Sequence, residues 1–158
     1  MHPETVGAVV SLSTRAPMIL KLLAAWCLLG LTVTIHAAGL SAMLPGIRSA
    51  LPARRFWPLT WRLLGVAWKL VLLHLAEIMV WGLFYWWQQC LPDAESSIYF
   101  SAVTYTTVGY GDLVLPQEWR LVGAVEGLTG ILMCGLSTGL FFAVVSKFLA
   151  ATPASAQD

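Results

Sequence analysis

The chain has 158 residues, of which 58% are hydrophobic and 11% are charged, and its formal net charge is +1. This composition is too apolar for a soluble domain of this size, and it excludes a soluble enzyme domain or a basic surface for nucleic acid. The sequence also lacks glycine-rich phosphate loops, paired catalytic carboxylates and clusters of metal ligands. We therefore expect a membrane protein that is not an enzyme and that carries no cofactor.

Three apolar segments, at 18–44, 63–87 and 119–149, are each long enough to cross a hydrocarbon core of about 30 Å as a helix. The pattern predicts an all-α membrane protein with three spans in a lipid bilayer. Residues 1–17 form a short, weakly polar segment before the first span. Residues 150–158 form a short tail, and we expect no soluble regulatory domain in the chain.

Positive charges predict the orientation of the spans. The link at 45–62 contains four arginines and no acidic residue, namely Arg48, Arg54, Arg55 and Arg62. Residues 88–118 contain acidic residues but neither lysine nor arginine. The positive-inside rule places the link and the C-terminus in the cytoplasm and the N-terminus outside, in what we expect to be a bacterial inner membrane. Because a cleaved signal peptide would put the basic link outside, we interpret the first segment as a retained span.

A short helix is predicted at 94–106, between the second and third spans. Asp93 is placed to cap the N-terminus of this helix, and Glu95 lies in the first turn, so both favour helix initiation. The helix would be about 20 Å long at a rise of 1.5 Å per residue. Its C-terminal end carries partial negative charge and precedes the loop at 107–112, where a cation would be stabilised.

The loop at 107–112 reads Thr-Val-Gly-Tyr-Gly-Asp. Backbone carbonyls can replace the water of a dehydrated cation only if successive peptide units point the same way. Strands alternate that direction, so alternate residues need dihedral angles that glycine adopts cheaply, and Gly109 and Gly111 have this spacing. Thr107 can add a hydroxyl group, while Val108 and Tyr110 would point back into the protein. The alternative interpretation is a glycine-rich surface turn.

This loop matches the selectivity-filter signature of potassium channels letter for letter, and residues 63–149 resemble the two-helix pore module of that family. The resemblance implies the potassium-channel pore fold, with an outer helix at 63–87, a pore helix, a filter loop and an inner helix at 119–149. The first span lies outside the resemblance. It would be one additional transmembrane helix.

The resemblance also implies what the loop binds. K⁺ would be the permeating ion, held by carbonyl oxygens and by the threonine hydroxyl, and Gly111 would complete the filter. The metal ligands implied in this way are Thr107, Val108, Gly109 and Tyr110. Because one loop cannot surround an ion, the resemblance implies a homotetramer.

The residues behind the loop depart from the pattern of simple bacterial potassium channels. The pore-helix glutamate of those relatives is replaced by Val103, and two tryptophans are replaced by Tyr99 and Phe100. Tyr99 can still donate a hydrogen bond to Asp112, whereas Phe100 cannot hydrogen-bond to Tyr110. The residues expected to support the loop are therefore Asp112, Tyr99, Thr104 and Val103.

Ionisable residues within the spans are functional candidates, because charge is costly in lipid. They are His36, His74, Glu77 and Glu126. Counting residues along antiparallel helices brings Glu77 and Glu126 to a similar depth. The two acids could form a proton-sensitive couple with His74 that biases gating, or a neutral structural pair. We favour the structural pair, because any buried acid must find a partner.

The inner helix suggests where the pore could close. Gly130 is the hinge candidate, by resemblance to simple bacterial potassium channels. Thr138 and Phe142 lie on one helix face, which the resemblance places toward the central cavity. Four Phe142 side chains could close the path, although packing of Phe142 or Phe141 against a neighbouring helix is an alternative. Close helix packing is the expected role of Gly123, Gly127 and Gly139.

These observations favour a potassium-selective channel that conducts passively. Two other functions remain open at this stage, a non-conducting or regulatory membrane subunit that keeps the pore fold and a weakly selective cation channel. The intact sequence of Gly109, Tyr110 and Gly111 argues against both alternatives.

Overall fold

The structure is a computed structural model, and it describes residues 17–49 and 56–150. The described residues are helical apart from short connections. The elements in chain order are α1 (Met18–Ser49), α2 (Phe56–Trp87), α3 (Ala94–Tyr105), a 3₁₀ helix (Gln117–Trp119) and α4 (Arg120–Ala150). The predicted all-α class is confirmed.

Three of these helices are long and apolar enough to cross a membrane within the described ranges. The membrane-capable stretches are Met18–Pro45, Thr60–Trp87 and Gln117–Lys147. The predicted number of spans is therefore confirmed, and the chain is an integral multi-pass membrane protein. The predicted N-terminal segment before residue 17, Arg54 and Arg55 of the link, and the tail after residue 150 lie outside the described residues.

Two helices extend beyond the predicted spans. α1 continues through Pro45 to Ser49 instead of ending at residue 44. α2 begins at Phe56 and not at residue 63, so most of the second half of the basic link is helical. Pro58 is tolerated there because it lies in the first helical turn, where its missing N–H would have no partner inside the helix.

α1 packs along α2 and α4 through one narrow face. The buried residues of this face are Lys21, Ala25, Thr32 and His36, which recur at helical spacing. The Trp81 Nε1–H of α2 donates a hydrogen bond to Thr32 Oγ1 at 3.0 Å. The helices approach closely at Gly39, where a Cβ would lie 2.7 Å from a Leu73 methyl carbon. α1 is thus joined to α2 by a polar contact as well as by packing.

α3 lies between α2 and α4 and is held by close backbone contacts on both sides. A Cβ at Gly82 of α2 would lie 2.8 Å from the Ile98 Cα, and one at Gly130 of α4 would lie 1.9 Å from the Tyr105 carbonyl oxygen. Around the N-terminal half of α3, an apolar core contains Trp81, Tyr85, Phe100, Trp119 and Val122. This packing fixes where α3 ends and where the following loop begins.

Candidate functional site

The N-terminus of α3 is capped as the sequence predicts. The Asp93 carboxylate accepts hydrogen bonds from the Ser96 backbone N–H at 2.7 Å and from the Ser96 hydroxyl at 3.0 Å. These bonds, the backbone bond first, hold the pKa of the Asp93 carboxyl below its ordinary value. The cap fixes the start of α3, a helix of 12 residues. It therefore also fixes where α3 ends and where the following loop begins.

Backbone hydrogen bonds attach the start of the 107–112 loop to the end of α3. The Thr107 N–H donates to the Thr104 carbonyl at 2.9 Å, and the Gly109 N–H donates to the Val103 carbonyl at 3.0 Å. Val103 and Thr104, expected to support the loop, therefore contact it through their main chains. Valine can occupy position 103 because the bond from the Gly109 N–H needs only the backbone carbonyl oxygen of that residue.

Alternate residues of the loop have left-handed backbone. The φ angles are +51° at Gly109 and +78° at Gly111, as the glycine spacing predicts. Thr107 also has a positive φ of 61°, which the sequence did not predict. A β-branched residue in this region is an outlier that costs of order 1–3 kcal/mol. Such strain persists only where surrounding structure imposes it, and it is concentrated at functional sites.

The loop is exposed in the single chain. Val108 and Tyr110 are 51% and 72% exposed, so the prediction that they point back into protein is not met by contacts of this chain. At the far end, the Tyr99 hydroxyl donates to Asp112 Oδ2 at 2.8 Å, which confirms the expected bond. This bond raises the pKa of the Tyr99 phenol. Phe100 instead packs edge-on against Tyr85, with ring centroids 5.4 Å apart.

A second polar site includes Tyr105, the last residue of α3. We call it the Glu77 cluster, and its members are His36, His74, Glu77, Tyr105 and Ser137. Glu77 lies at the centre and is fully buried. Its Oε1 is 2.8 Å from His36 Nδ1, and its Oε2 accepts a hydrogen bond from the Tyr105 hydroxyl. The cluster thus joins α1, α2, α3 and α4.

The remaining contacts of the Glu77 cluster orient its two imidazole rings. His74 Nδ1 is 3.0 Å from the Tyr105 hydroxyl and 3.5 Å from Glu77 Oε2. His36 Nε2 is 3.4 Å from the Ser137 hydroxyl. The sequence groups His74 with Glu77 and marks His36 as a separate ionisable residue, but it does not reveal Tyr105 or Ser137 as partners. Depth counting along antiparallel helices, which was applied to the two acids, is the signal that could have paired His36 with Glu77.

Glu126 has a different set of partners, so the expected pairing of Glu77 with Glu126 is wrong. Its Oε2 accepts a hydrogen bond from the Tyr85 hydroxyl at 2.8 Å, and its Oε1 lies 2.5 Å from Ser101 Oγ. Ser101 Oγ is also 2.9 Å from the Ile78 carbonyl, and a hydroxyl has one proton to donate. A protonated Glu126 donating to Ser101 satisfies all three contacts. Glu126 therefore fits the interpretation of a neutral acid with a structural role, although its partners are Tyr85 and Ser101.

The glycines of α4 meet the predicted roles only in part. Gly130, the hinge candidate, is required by packing, because any side chain there would collide with the Tyr105 carbonyl. Gly123 also packs closely, since a Cβ would lie 3.2 Å from Leu115, and Gly127 allows an ordinary contact at 3.6 Å with the Thr104 carbonyl. At Gly139 no described atom lies within 4 Å of the Cβ position, so packing within the chain does not explain that glycine.

Phe141 and Phe142 of α4 point to different surroundings. Phe141 lines a cavity of about 260 Å³ with Ala67, Leu70, Ser137 and Thr138. Phe142 is 71% exposed and shares its exposed face with Ile131. Thr138 is also exposed, and its hydroxyl donates to the Cys134 carbonyl at 2.8 Å. Phe142 is therefore available to a neighbouring molecule, whereas Phe141 is partly covered by its own chain.

The fold defines an all-α, multi-pass membrane protein, and a family comparison identifies its class. The ion channel family model matches residues 73–147, which run from α2 through α3 and the loop into α4. Over this region the chain is similar to the ion channel family, and α1 precedes the matched region. Searches among curated proteins and among solved structures returned no match.

Proposed function

We propose that the protein is a potassium-selective channel that conducts K⁺ passively and catalyses no reaction. The observation that carries the proposal is the 107–112 loop within the ion channel region. It combines the filter sequence with left-handed backbone at three alternate residues, Thr107, Gly109 and Gly111. Left-handed and right-handed residues in alternation let successive carbonyls point to one side, as ion coordination requires.

The ion would be held by protein oxygens in place of water. The proposed ligands are the carbonyl oxygens of Thr107, Val108, Gly109 and Tyr110, with the hydroxyl of Thr107 below them. α3 supports the same site, because the partial negative charge at its C-terminal end lies directly before the loop. K⁺ is the transported ion in this account and not a resident cofactor.

Four copies of the chain would form the pore, since one loop supplies only one side of an ion site. The exposure of Val108 and Tyr110 supports assembly, because apolar side chains next to a strained loop need a covering surface. The exposed face of α4 that carries Ile131 and Phe142 would turn toward the shared axis. Phe142 would then form a constriction on the cytoplasmic side.

The orientation follows from the arginines of the 45–62 link. We place this link and the C-terminus in the cytoplasm and the N-terminus outside, in a bacterial inner membrane. In this orientation the 107–112 loop faces the outside, and the end of α4 that carries Phe142 faces the cytoplasm. Reaction of an impermeant thiol reagent with single cysteines placed in the link tests this assignment.

Flux from liposomes tests the proposed function. Purified protein is reconstituted in vesicles loaded with K⁺ or Na⁺, and efflux of each ion is measured against an outward gradient. We expect efflux of K⁺ and little efflux of Na⁺. Equal efflux of both ions would identify a weakly selective cation channel. Efflux of neither ion from a folded oligomer would favour a non-conducting subunit.

A further inference from the structure

The Glu77 cluster places a transition-metal donor set inside the membrane region. The atoms of His36, His74 and Glu77 that could bind a metal all lie within 4.8 Å of one another. Two imidazole nitrogens with a carboxylate oxygen form a recurrent donor set for divalent transition metals. No cluster of metal ligands is evident in the sequence, because His36 lies 41 residues from Glu77 and comes from another helix. The fold creates the cluster.

The donor atoms lie near the separations of a zinc site, with none more than 4.8 Å apart. Zn–N and Zn–O bonds of about 2.0–2.2 Å in a tetrahedron separate the ligand atoms by roughly 3.3–3.5 Å. Here His36 Nδ1 is 2.8 Å from Glu77 Oε1, and His74 Nδ1 is 3.5 Å from Glu77 Oε2. The Tyr105 oxygen is 3.0 Å from His74 Nδ1, so it can serve as a fourth ligand. An ion could replace the shared protons if the more widely separated donor atoms approached one another by roughly 1 Å.

Ser137 holds the His36 ring in the orientation that a metal ligand needs. Ser137 lies at 3.4 Å from His36 Nε2, and this contact turns Nδ1 of the same ring toward Glu77. A polar partner on the second ring nitrogen is the usual way in which a metal-binding histidine is held. His74 is 19% exposed, whereas His36 and Glu77 are buried, so the site has one accessible side. Ser137 also lines the cavity of about 260 Å³ between α2 and α4.

Charge balance favours a divalent ion at this depth. A single buried carboxylate is costly in a membrane unless it is paired. One divalent cation with the Glu77 carboxylate and the Tyr105 phenolate would be neutral, and the phenol proton would leave for solvent. Nitrogen ligands select a transition metal over Mg²⁺ or Ca²⁺, which prefer sites made of oxygen atoms.

We propose that His36, His74 and Glu77, with Tyr105 as the fourth ligand, form a binding site for a divalent transition-metal ion of the Zn²⁺ class. The ion would join α1 to the ion channel region, because His36 lies outside that region and the other ligands lie within it. It would also act close to the 107–112 loop, since Tyr105 ends α3 two residues before Thr107. Metal binding by the purified chain tests the site whether or not the protein conducts K⁺.

The experiment uses the full chain in nanodiscs after removal of metals by a chelator. The background carries Cys27→Ser and Cys134→Ser, because both thiols are exposed and could bind Zn²⁺ themselves. Titration with Zn²⁺ is followed by calorimetry and by the thermal unfolding midpoint, and Co²⁺ gives a visible spectrum that reports tetrahedral geometry. We expect one ion per chain, a higher unfolding midpoint and a tetrahedral Co²⁺ spectrum.

Matched variants separate this site from binding elsewhere. His36→Gln and His74→Gln should each weaken Zn²⁺ binding at least tenfold, and Ser137→Ala should weaken it about tenfold, as loss of a supporting partner does. Glu126→Gln is the control, because it alters a buried acid that does not belong to the cluster, and it should bind like the parent. Parent-like binding in either histidine variant, or one ion bound with no change in the midpoint, would overturn the proposal.

X-ray absorption of the parent with Zn²⁺ keeps the proposal testable if a histidine variant does not fold. Two imidazole ligands with oxygen ligands are expected. A spectrum with sulfur ligands, or with oxygen ligands alone, would overturn the proposal. Absence of Zn²⁺ binding by the folded parent would also overturn it.

Discussion

The 107–112 loop follows the end of α3, where Tyr105 belongs to the Glu77 cluster, and the two sites differ in what completes them. The loop is exposed, strained at Thr107 and covered by no other part of the described chain. The Glu77 cluster is buried and receives its members from four helices of the same chain. One chain therefore suffices to build the cluster, whereas the single chain leaves the loop exposed. We therefore expect mutations in the loop to change ion conduction and mutations around the cluster to change the stability of the chain.

The largest expected effect is the loss of K⁺ conduction in Gly111→Ala. Gly111 has a φ of +78°, and no described atom lies within 4 Å of its Cβ position, so the substitution disturbs the backbone and not the packing. Gly109→Ala should act in the same way for the same reason. We expect K⁺ efflux from liposomes to fall to the level of empty vesicles, with the helical content unchanged.

Gly30→Ala is the matched control for these two variants. Gly30 lies in α1, its φ is not in the left-handed region and no described atom lies within 4 Å of its Cβ position. Alanine should be accepted there, and K⁺ efflux should remain at the parent level. Parent-like K⁺ efflux from Gly111→Ala would show that the loop is not the conducting element.

Gly130→Ala should destabilise the chain itself. A Cβ there would lie 1.9 Å from the Tyr105 carbonyl oxygen, and this atom belongs to backbone that the hydrogen bonds of the loop hold in place. Overpacking of this kind costs about 1–3 kcal/mol. The thermal unfolding midpoint should fall, whereas Gly135→Ala, with no described atom within 4 Å, should leave it unchanged. An unchanged midpoint for Gly130→Ala would restore a hinge as the reason for that glycine.

The two buried acids should respond differently to glutamine. Glu77 has donors directed at both oxygens, from His36 and Tyr105, and an amide offers only one oxygen. Loss of one buried hydrogen bond lowers the free energy of unfolding by about 1–3 kcal/mol. Glu126 has one donor and one acceptor as partners if it is protonated, which an amide can match, so Glu126→Gln should cost less than about 1 kcal/mol. Equal losses in thermal unfolding would contradict this assignment of partners.

The smallest expected effect concerns Phe142, which is exposed in the single chain to nearly the same degree as Tyr110. If four copies converge there, Phe142→Ala should raise the resting K⁺ conductance and leave the preference for K⁺ over Na⁺ unchanged. Phe141→Ala is the control, because Phe141 is partly covered by α2 and should affect conductance less. Single-channel recording checks both variants. Unaltered closed-state leak in Phe142→Ala would place the constriction elsewhere.

The sequence predicted the loop far better than the Glu77 cluster. The left-handed backbone at Gly109 and Gly111 could be predicted because the requirement for glycine is local to each residue. The Asp93 cap and the Tyr99–Asp112 bond are also contacts over short separations in sequence. Such features need no knowledge of how the helices pack.

Contacts between distant residues escaped the sequence analysis. The partner of Glu77 is 41 residues away on α1, and its depth depends on where each helix begins. Depth alone brings Glu77 and Glu126 to a similar level, but it does not say which neighbouring helix each side chain faces, and the two acids have different partners. The role of Gly130 was missed for a similar reason, because the nearby Tyr105 carbonyl is visible only after α3 is packed against α4.

The central claim is that the 107–112 loop makes this membrane protein conduct K⁺ selectively. The most direct measurement is the reversal potential of the purified protein in a planar bilayer with K⁺ on one side and Na⁺ on the other. The account predicts a large reversal potential, of the sign that K⁺ permeation alone would give, and its loss in Gly111→Ala. A reversal potential near zero in the parent would contradict the claim, because it would mean that Na⁺ passes as readily as K⁺.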